Sequence, residues 1–143
     1  MALDLVPLCN ATVKLAPPIM VGATPSGNRM IFEVQEARFE GERLRGSMKG
    51  AAAADWFVVS PDGAVGTLDV KVTLETDDGA NVYGHYSGRT DTSAGPGARP
   101  IYTAPMFETS DERYAWINSI LAVAKGEISP DMSTLVYEIY ELR

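Results

Sequence analysis

One stretch of the sequence decides the fold: residues 68–86 read LDVKVTLETDDGANVYGHY. Apolar and polar residues alternate on both sides of an Asp-Gly pair, a pattern that predicts two β-strands joined by a tight hairpin. A two-residue turn at Asp78-Gly79 would pair Lys71 with Tyr86 across the hairpin. The predicted hairpin therefore has one largely polar face and one largely apolar face.

The predicted polar face carries Asp69, Lys71 and Tyr86. If this face points into a barrel, a carboxylate, an ammonium group and a phenol meet in a cavity of low dielectric constant. We then expect Asp69 to act as a general base and Tyr86 to donate to a developing enolate oxygen, with Lys71 or Arg113 stabilising charge. The alternative is a solvated sheet face with an ordinary cross-strand pair between Lys71 and Tyr86.

The predicted apolar face carries Tyr83, His85 and Arg89. Histidine titrates near neutrality, so His85 is a further candidate catalytic residue, with Tyr83 and Arg89 as candidate binding residues. The alternative for His85 is a buried or interface histidine. Only one face of the hairpin can point inward. If the barrel has a polar interior, the apolar face is exposed, and such a surface favours a homodimer or larger assembly. Four apolar residues would form that surface: Leu68, Val70, Val72 and Leu74.

The remaining sequence also reads as β-structure. Pro and Gly cluster at 17–27, 61–66 and 93–100, between segments rich in Val, Thr, Tyr, Phe and Ile. No long segment has the apolar spacing of an amphipathic helix, and one helical turn is predicted at 111–115.

Two later segments are apolar on both alternating sets of residues, namely 115–125 and 133–142. This pattern predicts strands that are covered on both faces, as in a closed barrel with a filled interior. The sequence thus predicts one domain spanning 1–143, with an all-β fold. We expect an antiparallel β-barrel of roughly eight or nine strands with at most one short helical turn, and an open sandwich is the alternative.

A third set of candidate residues combines aromatic rings with polar groups. Such residues suit the mouth of a pocket for an aromatic or polyketide-like ligand. The alternative is a plug at the end of the barrel, in which Arg113 pairs with Glu108 or Asp111. The candidate substrate-binding residues of this set are Asp55, Trp56, Glu108, Arg113, Tyr114, Trp116 and Asn118.

Composition excludes several classes of protein. The 143 residues include 12 Lys and Arg against 19 Asp and Glu, one His and one Cys, with a formal net charge of −7. One cysteine excludes a disulfide scaffold, and the negative charge disfavours nucleic acid as a partner. No apolar run suggests a membrane span, and no basic leader suggests secretion, so we expect a cytoplasmic protein. The sequence has no metal-ligand spacing and no nucleotide-binding motif, so we expect neither a metal nor a cofactor.

Several blocks along the chain resemble a known family. The blocks are 11–13, 39–46, 54–56, 68–80, 83, 86–88, 105–109, 113–118 and 136–141. On these blocks the chain resembles the uncharacterised family called domain of unknown function 3237. Lys71 departs from the family pattern, in which Arg is usual, and Glu42 stands where Pro is common. The resemblance implies a small antiparallel β-barrel like those of allene-oxide-cyclase-like and dirigent-like proteins, and it implies no particular reaction.

These observations lead to one functional hypothesis and two alternatives. We expect a cofactor-independent acid–base enzyme, an isomerase, cyclase or lyase, that acts on an enolisable or cyclising organic substrate. The first alternative is a barrel that binds a ligand or a partner protein without catalysis. The second is a fully packed barrel that serves as an oligomeric scaffold.

Overall fold

The computed structural model describes residues 1–143 and contains ten β-strands and one 3-10 helix. The elements are β1 (Leu5–Leu15), β2 (Ile19–Thr24), β3 (Gly27–Glu40), β4 (Gly46–Met48), β5 (Ala54–Val59), β6 (Val65–Thr76), β7 (Asn81–Asp91), β8 (Ile101–Glu108), the 3-10 helix (Glu112–Ser119), β9 (Ala122–Ile128) and β10 (Thr134–Leu142).

The strands close into an eight-stranded antiparallel barrel with two additional strands. Neighbours run in the order β1, β10, β9, β8, β7 and β6, and β3 returns to pair with β1. Both β4 and β5 lie between β6 and β3, β4 near one end of the barrel and β5 near the other. Closure leaves the barrel strands without a long free edge. The all-β antiparallel barrel predicted from the sequence is confirmed, with eight strands in the barrel.

Alternating residues fill the barrel, and one end is packed solid. Leu44, Leu74, Val82 and Ile117 are almost completely buried at that end. Ile117 comes from the 3-10 helix, which begins after Asp111, whose side chain accepts a hydrogen bond from the Arg113 amide. We call this the closed end of the barrel.

The hairpin of β6 and β7 forms, but its predicted register is wrong by one residue. Val70 pairs with Tyr86, and Lys71 pairs with His85. The turn holds three residues, 77–79, rather than two, because Thr76 pairs with Ala80: its amide donates to the Ala80 carbonyl, and its hydroxyl accepts from the Ala80 amide at 2.8 Å. A turn of three residues instead of two shifts the register of the hairpin by one residue.

This shift of one residue exchanges the faces of β7 relative to β6. Tyr86 joins Val70 inside the barrel, and His85 joins Asp69 and Lys71 outside it. The apolar residues of β6 form the core, so they offer no exposed patch for the predicted homodimer, and that argument for an assembly is wrong. These residues are Leu68, Val70, Val72 and Leu74.

The strand predicted over 115–125 is also wrong in its first half. Residues 112–119 form the 3-10 helix, and β9 begins only at Ala122. Apolar side chains in this segment are buried because Ile117 and Trp116 cover the closed end of the barrel, not because a strand is covered on both faces. The chain has no helix with the length and apolar character needed to cross a membrane.

A strand also forms within 17–27, where the sequence predicts only a break between segments. β2 pairs with β3 alone and projects beyond the barrel. Its register shifts between Met20 and Gly22, and Gly22 has a φ of +90°, which glycine tolerates without strain. The hairpin of β2 and β3 places Pro18 and Met20 beside the open end of the barrel.

Candidate functional site

The barrel encloses a cavity of about 510 Å³ that reaches the surface at the end opposite the 3-10 helix. This volume lies within the range of pockets that hold small organic molecules. Most of the wall is apolar, and the cavity has only a few polar side chains. The polar side chains that line it are Asn28, Asp55, Tyr86, Thr90, Thr92 and Arg99.

Asp55 reaches the cavity because β5 and β6 separate beside it. The two strands pair at Asp55–Val70 and again at Val58–Thr67, but not between these positions. In the gap, the Asp69 amide donates to Asp55 Oδ1 at 3.0 Å instead of to a backbone carbonyl. The Trp56 carbonyl accepts from Arg29 Nη1 at 2.6 Å. Both backbone groups are therefore satisfied by side chains, and the Asp55 carboxyl group is held at the cavity wall.

The surroundings of Asp55 favour its neutral form. Burial raises the pKa of its carboxyl group to about 7, and the hydrogen bond from the Asp69 amide opposes this rise. The negative charge of the Asp69 side chain raises the pKa further, whereas the positive charge of Arg29 lowers it. Near neutral pH, Asp55 thus exists as a mixture of acid and carboxylate, which suits a group that both accepts and returns a proton.

Tyr86 lies deep in the cavity, and Tyr137 packs against it in the core. Their rings meet edge to face with centroids 5.8 Å apart. Burial raises the pKa of Tyr86 above its usual value, and the charge of Asp55 adds to this rise, so the phenol stays protonated. The Tyr137 hydroxyl is buried and has no hydrogen-bond partner, although it is close enough to Tyr86 for each phenol to affect the ionisation of the other.

A glycine of the neighbouring strand makes room for the Tyr137 ring. Tyr137 pairs with Gly126, and a Cβ atom at Gly126 would lie only 2.4 Å from the ring. No side chain larger than hydrogen fits there without moving the ring. Gly126 therefore fixes the position of Tyr137 beside Tyr86.

The structure separates the residues that the sequence places together as a catalytic group. Tyr86 lines the cavity, but Asp69 and Lys71 lie on the outer surface of the barrel with His85. His85 Nε2 and Asp69 Oδ1 are 3.2 Å apart, and their side chains are 46% and 54% exposed. The Lys71 ammonium lies 5.6 Å from the centre of the Trp56 ring, also outside. The predicted convergence of Asp69, Lys71 and Tyr86 does not occur, because of the register shift.

The candidate binding residues divide among three places. Asp55 lines the cavity, whereas Trp56, Tyr83 and Arg89 lie on the outer face of the barrel. At the closed end, Arg113 donates to both carboxylate oxygens of Asp111, as the predicted plug requires. Glu108 lies at the same end of the barrel, at the end of β8. The 3-10 helix supplies the other three residues. Tyr114 donates to Asp78, Trp116 stacks on Arg43, and Asn118 forms hydrogen bonds with the Thr109 backbone.

Sequence reasoning missed Arg99, which lines the cavity, and Tyr137, which packs against Tyr86. Tyr137 has a signal in the alternation of Leu135, Tyr137 and Ile139, which places one face of β10 in the core. Arg99 has none, because it lies in a Gly- and Pro-rich loop that carries no strand periodicity. The arrangement as a whole can bind an apolar molecule and transfer protons, and the chain has no group of three or more His, Cys, Asp or Glu side chains placed to hold a metal ion.

Known proteins share both the sequence pattern and the barrel. The UPF0311 protein RPA1785 of Rhodopseudomonas palustris is 24% identical, over 92% of this chain and 91% of its own length. A β-barrel-like protein from Acinetobacter baumannii AYE is 27% identical with a TM-score of 0.87, covering 100% of this chain and 98% of its own. An enzyme from Penicillium herquei shares the fold at 21% identity and a TM-score of 0.72, covering 99% of this chain and 94% of its own.

A family comparison agrees with these similarities. The family described as "Protein of unknown function (DUF3237)" matches residues 3–142, nearly the whole chain. The resemblance noted on short sequence blocks is thereby confirmed. By this match and by its eight-stranded barrel, the chain belongs to the DUF3237 family.

Proposed function

We propose that this protein is a cofactor-independent acid–base enzyme that binds a small, largely apolar organic molecule in the barrel and moves a proton with Asp55. One observation carries the proposal: a single carboxyl group with a pKa of about 7 lines a cavity whose walls are mostly apolar. Burial disfavours the charged form of an aspartate that serves only as a hydrogen-bond acceptor for the Asp69 amide. A pKa near the working pH is what general acid–base catalysis requires.

The chemistry follows from Asp55 and Tyr86, which both line the cavity. The Asp55 carboxylate removes a proton from a carbon next to a carbonyl group, and the electron pair moves to the carbonyl oxygen as an enolate. The Tyr86 hydroxyl donates a hydrogen bond to that oxygen while its negative charge develops. The protonated Asp55 then returns the proton to another atom, which isomerises the substrate, or to a leaving group, which completes an elimination.

The spacing of the two groups leaves room for a substrate. Asp55 pairs with Val70, and Val70 pairs with Tyr86, so the two backbones lie two strands apart in one row. Two strand spacings amount to about 10 Å. Both side chains point into the same cavity, so a carbonyl compound fits between the base and the hydrogen-bond donor.

Asp55 thus takes the role that the sequence suggested for Asp69, while Tyr86 keeps its role. The isomerase, cyclase and lyase hypotheses all remain compatible with this pair, since each begins with proton transfer. The Penicillium herquei protein supports the proposal in one respect, because it is an enzyme built on the same fold. A binding protein without catalysis also explains the apolar walls, but it does not require a carboxyl group whose pKa lies near 7. A cavity of about 510 Å³ favours ligand binding over the alternative of a fully packed scaffold.

The proposal can be tested before the natural substrate is known. The compound 5-nitrobenzisoxazole is small, flat and apolar, and a base that removes its C3 proton breaks the N–O bond and releases a coloured cyanophenolate. We expect the protein to accelerate this ring opening, with a rate that rises around pH 7 as Asp55 ionises. We expect Asp55→Asn to lose at least about tenfold of the rate, since a positioned base typically contributes about 10² or more.

Asp69→Asn is the matched control, because it removes the same group from the outer face of the same wall. We expect this variant to retain most of the activity above pH 7, where most Asp55 carboxyl groups are ionised in both proteins. If Asp55→Asn ring-opens the probe as fast as the unchanged protein, or if Asp69→Asn loses as much as Asp55→Asn, then Asp55 is not the base. No acceleration by the unchanged protein would also reject Asp55 as a base toward a ligand of this size.

A further inference from the structure

The polar groups of the cavity lie at two levels. Asp55 and Tyr86 are deep, while Arg99 lies in the loop after β7, at the open end. Arg99 is the one Lys or Arg residue that lines the cavity. Thr90, also at this level, donates from its hydroxyl to the Pro100 carbonyl at 3.1 Å and so ties the loop to β7. The backbone beside Arg99 is therefore anchored at the rim.

The Arg99 guanidinium has no partner within the protein. The one hydrogen bond of this residue outside the strand ladders uses its backbone carbonyl, and its side chain takes part in no salt bridge. Arg99 does lower the pKa of Asp91 through its charge, but the Asp91 carboxylate is engaged with the Ser93 amide and hydroxyl. In a chain with a net charge of −7, Arg99 thus offers a guanidinium without a hydrogen-bond or salt-bridge partner at the mouth of an apolar cavity.

We infer that the ligand of this cavity is an elongated amphipathic anion: an apolar body in the barrel, a reactive end at Asp55 and Tyr86, and a carboxylate, sulfonate or similar anionic group at Arg99. The inference rests on the proposed function for the reactive end only. Arginine suits such a role because its planar guanidinium binds oxyanions through two parallel hydrogen bonds.

The length of the ligand follows from the register of β7. Tyr86 and Thr90 are four residues apart on the strand, which is about 13 Å along it, or about 10 Å along the axis of a barrel whose strands tilt by about 40°. An anion at the rim and a reactive group at Tyr86 are thus separated by about two or three fused rings or a chain of similar length. A compact polar metabolite does not span this distance.

Two fluorescent probes of nearly equal size test this inference. The first, 1-anilinonaphthalene-8-sulfonate, carries an anionic group, whereas the second, N-phenyl-1-naphthylamine, has the same rings and no charge. We expect both to bind at one site, each displacing the other, at pH 6, where most Asp55 carboxyl groups are protonated. We expect Arg99→Gln to weaken binding of the sulfonate about five- to tenfold and to leave the neutral probe within about twofold.

Arg89→Gln is the matched control, because Arg89 lies on the outer face of β7 and its loss changes the net charge equally. We expect it to bind both probes as the unchanged protein does. Four outcomes would each overturn the inference. The two arginine variants could bind the sulfonate equally weakly, or Arg99→Gln could bind it with unchanged affinity. Arg99→Gln could also weaken both probes equally, or the unchanged protein could bind the neutral probe alone. Failure of both probes to bind would also overturn the inference.

The outcome is separable from that of the proposed reaction. We expect Asp55→Asn to lose ring-opening activity. We expect the double variant, Asp55→Asn with Arg99→Gln, to bind the sulfonate as weakly as Arg99→Gln does alone. An inactive cavity that still selects the sulfonate would leave the ligand class standing and reject the catalytic role of Asp55. A catalytic cavity that ignores the sulfonate would do the reverse.

Discussion

The Asp69 backbone amide donates a hydrogen bond to Asp55 Oδ1 at 3.0 Å, so one residue of β6 links the cavity to the outer surface of the barrel. The Asp69 side chain points outward to His85, and its amide supports the carboxyl group inside. Asp69 therefore acts on Asp55 in two opposite ways: its amide stabilises the carboxylate, and its own negative charge destabilises it. The wall between the two carboxyl groups is one strand thick.

The cost of burying Asp55 appears as a pH dependence of stability. In the folded protein the pKa is about 7, against 3.8 for the unperturbed group, so the folded state holds a proton that the unfolded state has lost between these values. Stability therefore falls as the pH rises from about 4 to about 7 and then levels off, by up to about 4 kcal/mol. We expect Asp55→Asn to remove this decline and to be more stable than the unchanged protein at pH 8, as urea unfolding at several pH values would measure. An unchanged pH dependence in the variant would contradict this origin.

The two opposite effects of Asp69 can be separated by substitution. Asp69→Asn keeps the backbone amide and removes the negative charge, so we expect the pKa of Asp55 to fall. Lys71→Gln alters the same outer face and serves as the control, since Lys71 does not influence Asp55. Carbon-13 chemical shifts of the Asp55 carboxyl group during a pH titration provide the measurement. An unchanged pKa in Asp69→Asn would show that the charge of Asp69 does not reach the cavity, and a rise would contradict the direction given to that charge.

The buried hydroxyl of Tyr137 lowers the stability of the protein. Because it has no hydrogen-bond partner, we expect Tyr137→Phe to stabilise the protein by about 1 kcal/mol. Tyr86→Phe is the comparison, since Tyr86 reaches the cavity and its loss is expected to slow ring opening of the probe. Thermal unfolding of both variants would check this. A clear loss of stability in Tyr137→Phe would mean that its hydroxyl is satisfied after all.

Gly126 is expected to be irreplaceable because of the ring that covers it. In Gly126→Ala the new carbon meets the Tyr137 ring at 2.4 Å, so we expect a loss of about 1–3 kcal/mol from overpacking. The same alanine in a Tyr137→Leu background is expected to cost less, because the ring is gone. An equal cost in both backgrounds, measured by chemical denaturation, would assign the effect to the backbone of β9 instead.

The barrel follows from the sequence, but the position of the site does not. Alternation in residues 68–86 is enough to predict the hairpin and the antiparallel sheet, since a period of two is local to each strand. The register is not local: Asp78 accepts a hydrogen bond from Tyr114, and its carbonyl accepts one from Arg113, residues more than 30 positions away in sequence. A turn held by such contacts takes three residues where the Asp-Gly pair alone predicts two.

That single shift places Tyr86 inside the barrel while Asp69 stays outside. With the predicted register, Asp69 and Tyr86 share a face, whereas in the structure Asp55 and Tyr86 do. The sequence predicts Asp55 only as a binding residue, together with its neighbour Trp56. Its burial depends on the gap between β5 and β6, which no sequence pattern predicts. The helical turn predicted at 111–115 is present, but the helix extends to Ser119. The sequence does not predict this extension, because its apolar residues are placed by the end of the barrel that they cover and not by a period of their own.

Direct titration of the Asp55 carboxyl group by carbon-13 NMR tests most sharply whether the cavity is built around a proton-transfer group. The resonance is assigned by its absence in Asp55→Asn and followed from pH 3 to pH 9. We expect an apparent pKa near 7, far above the value of an exposed aspartate. A midpoint near pH 4 would mean that Asp55 is an ordinary ionised side chain at neutral pH, and the acid–base function proposed for this barrel would be rejected.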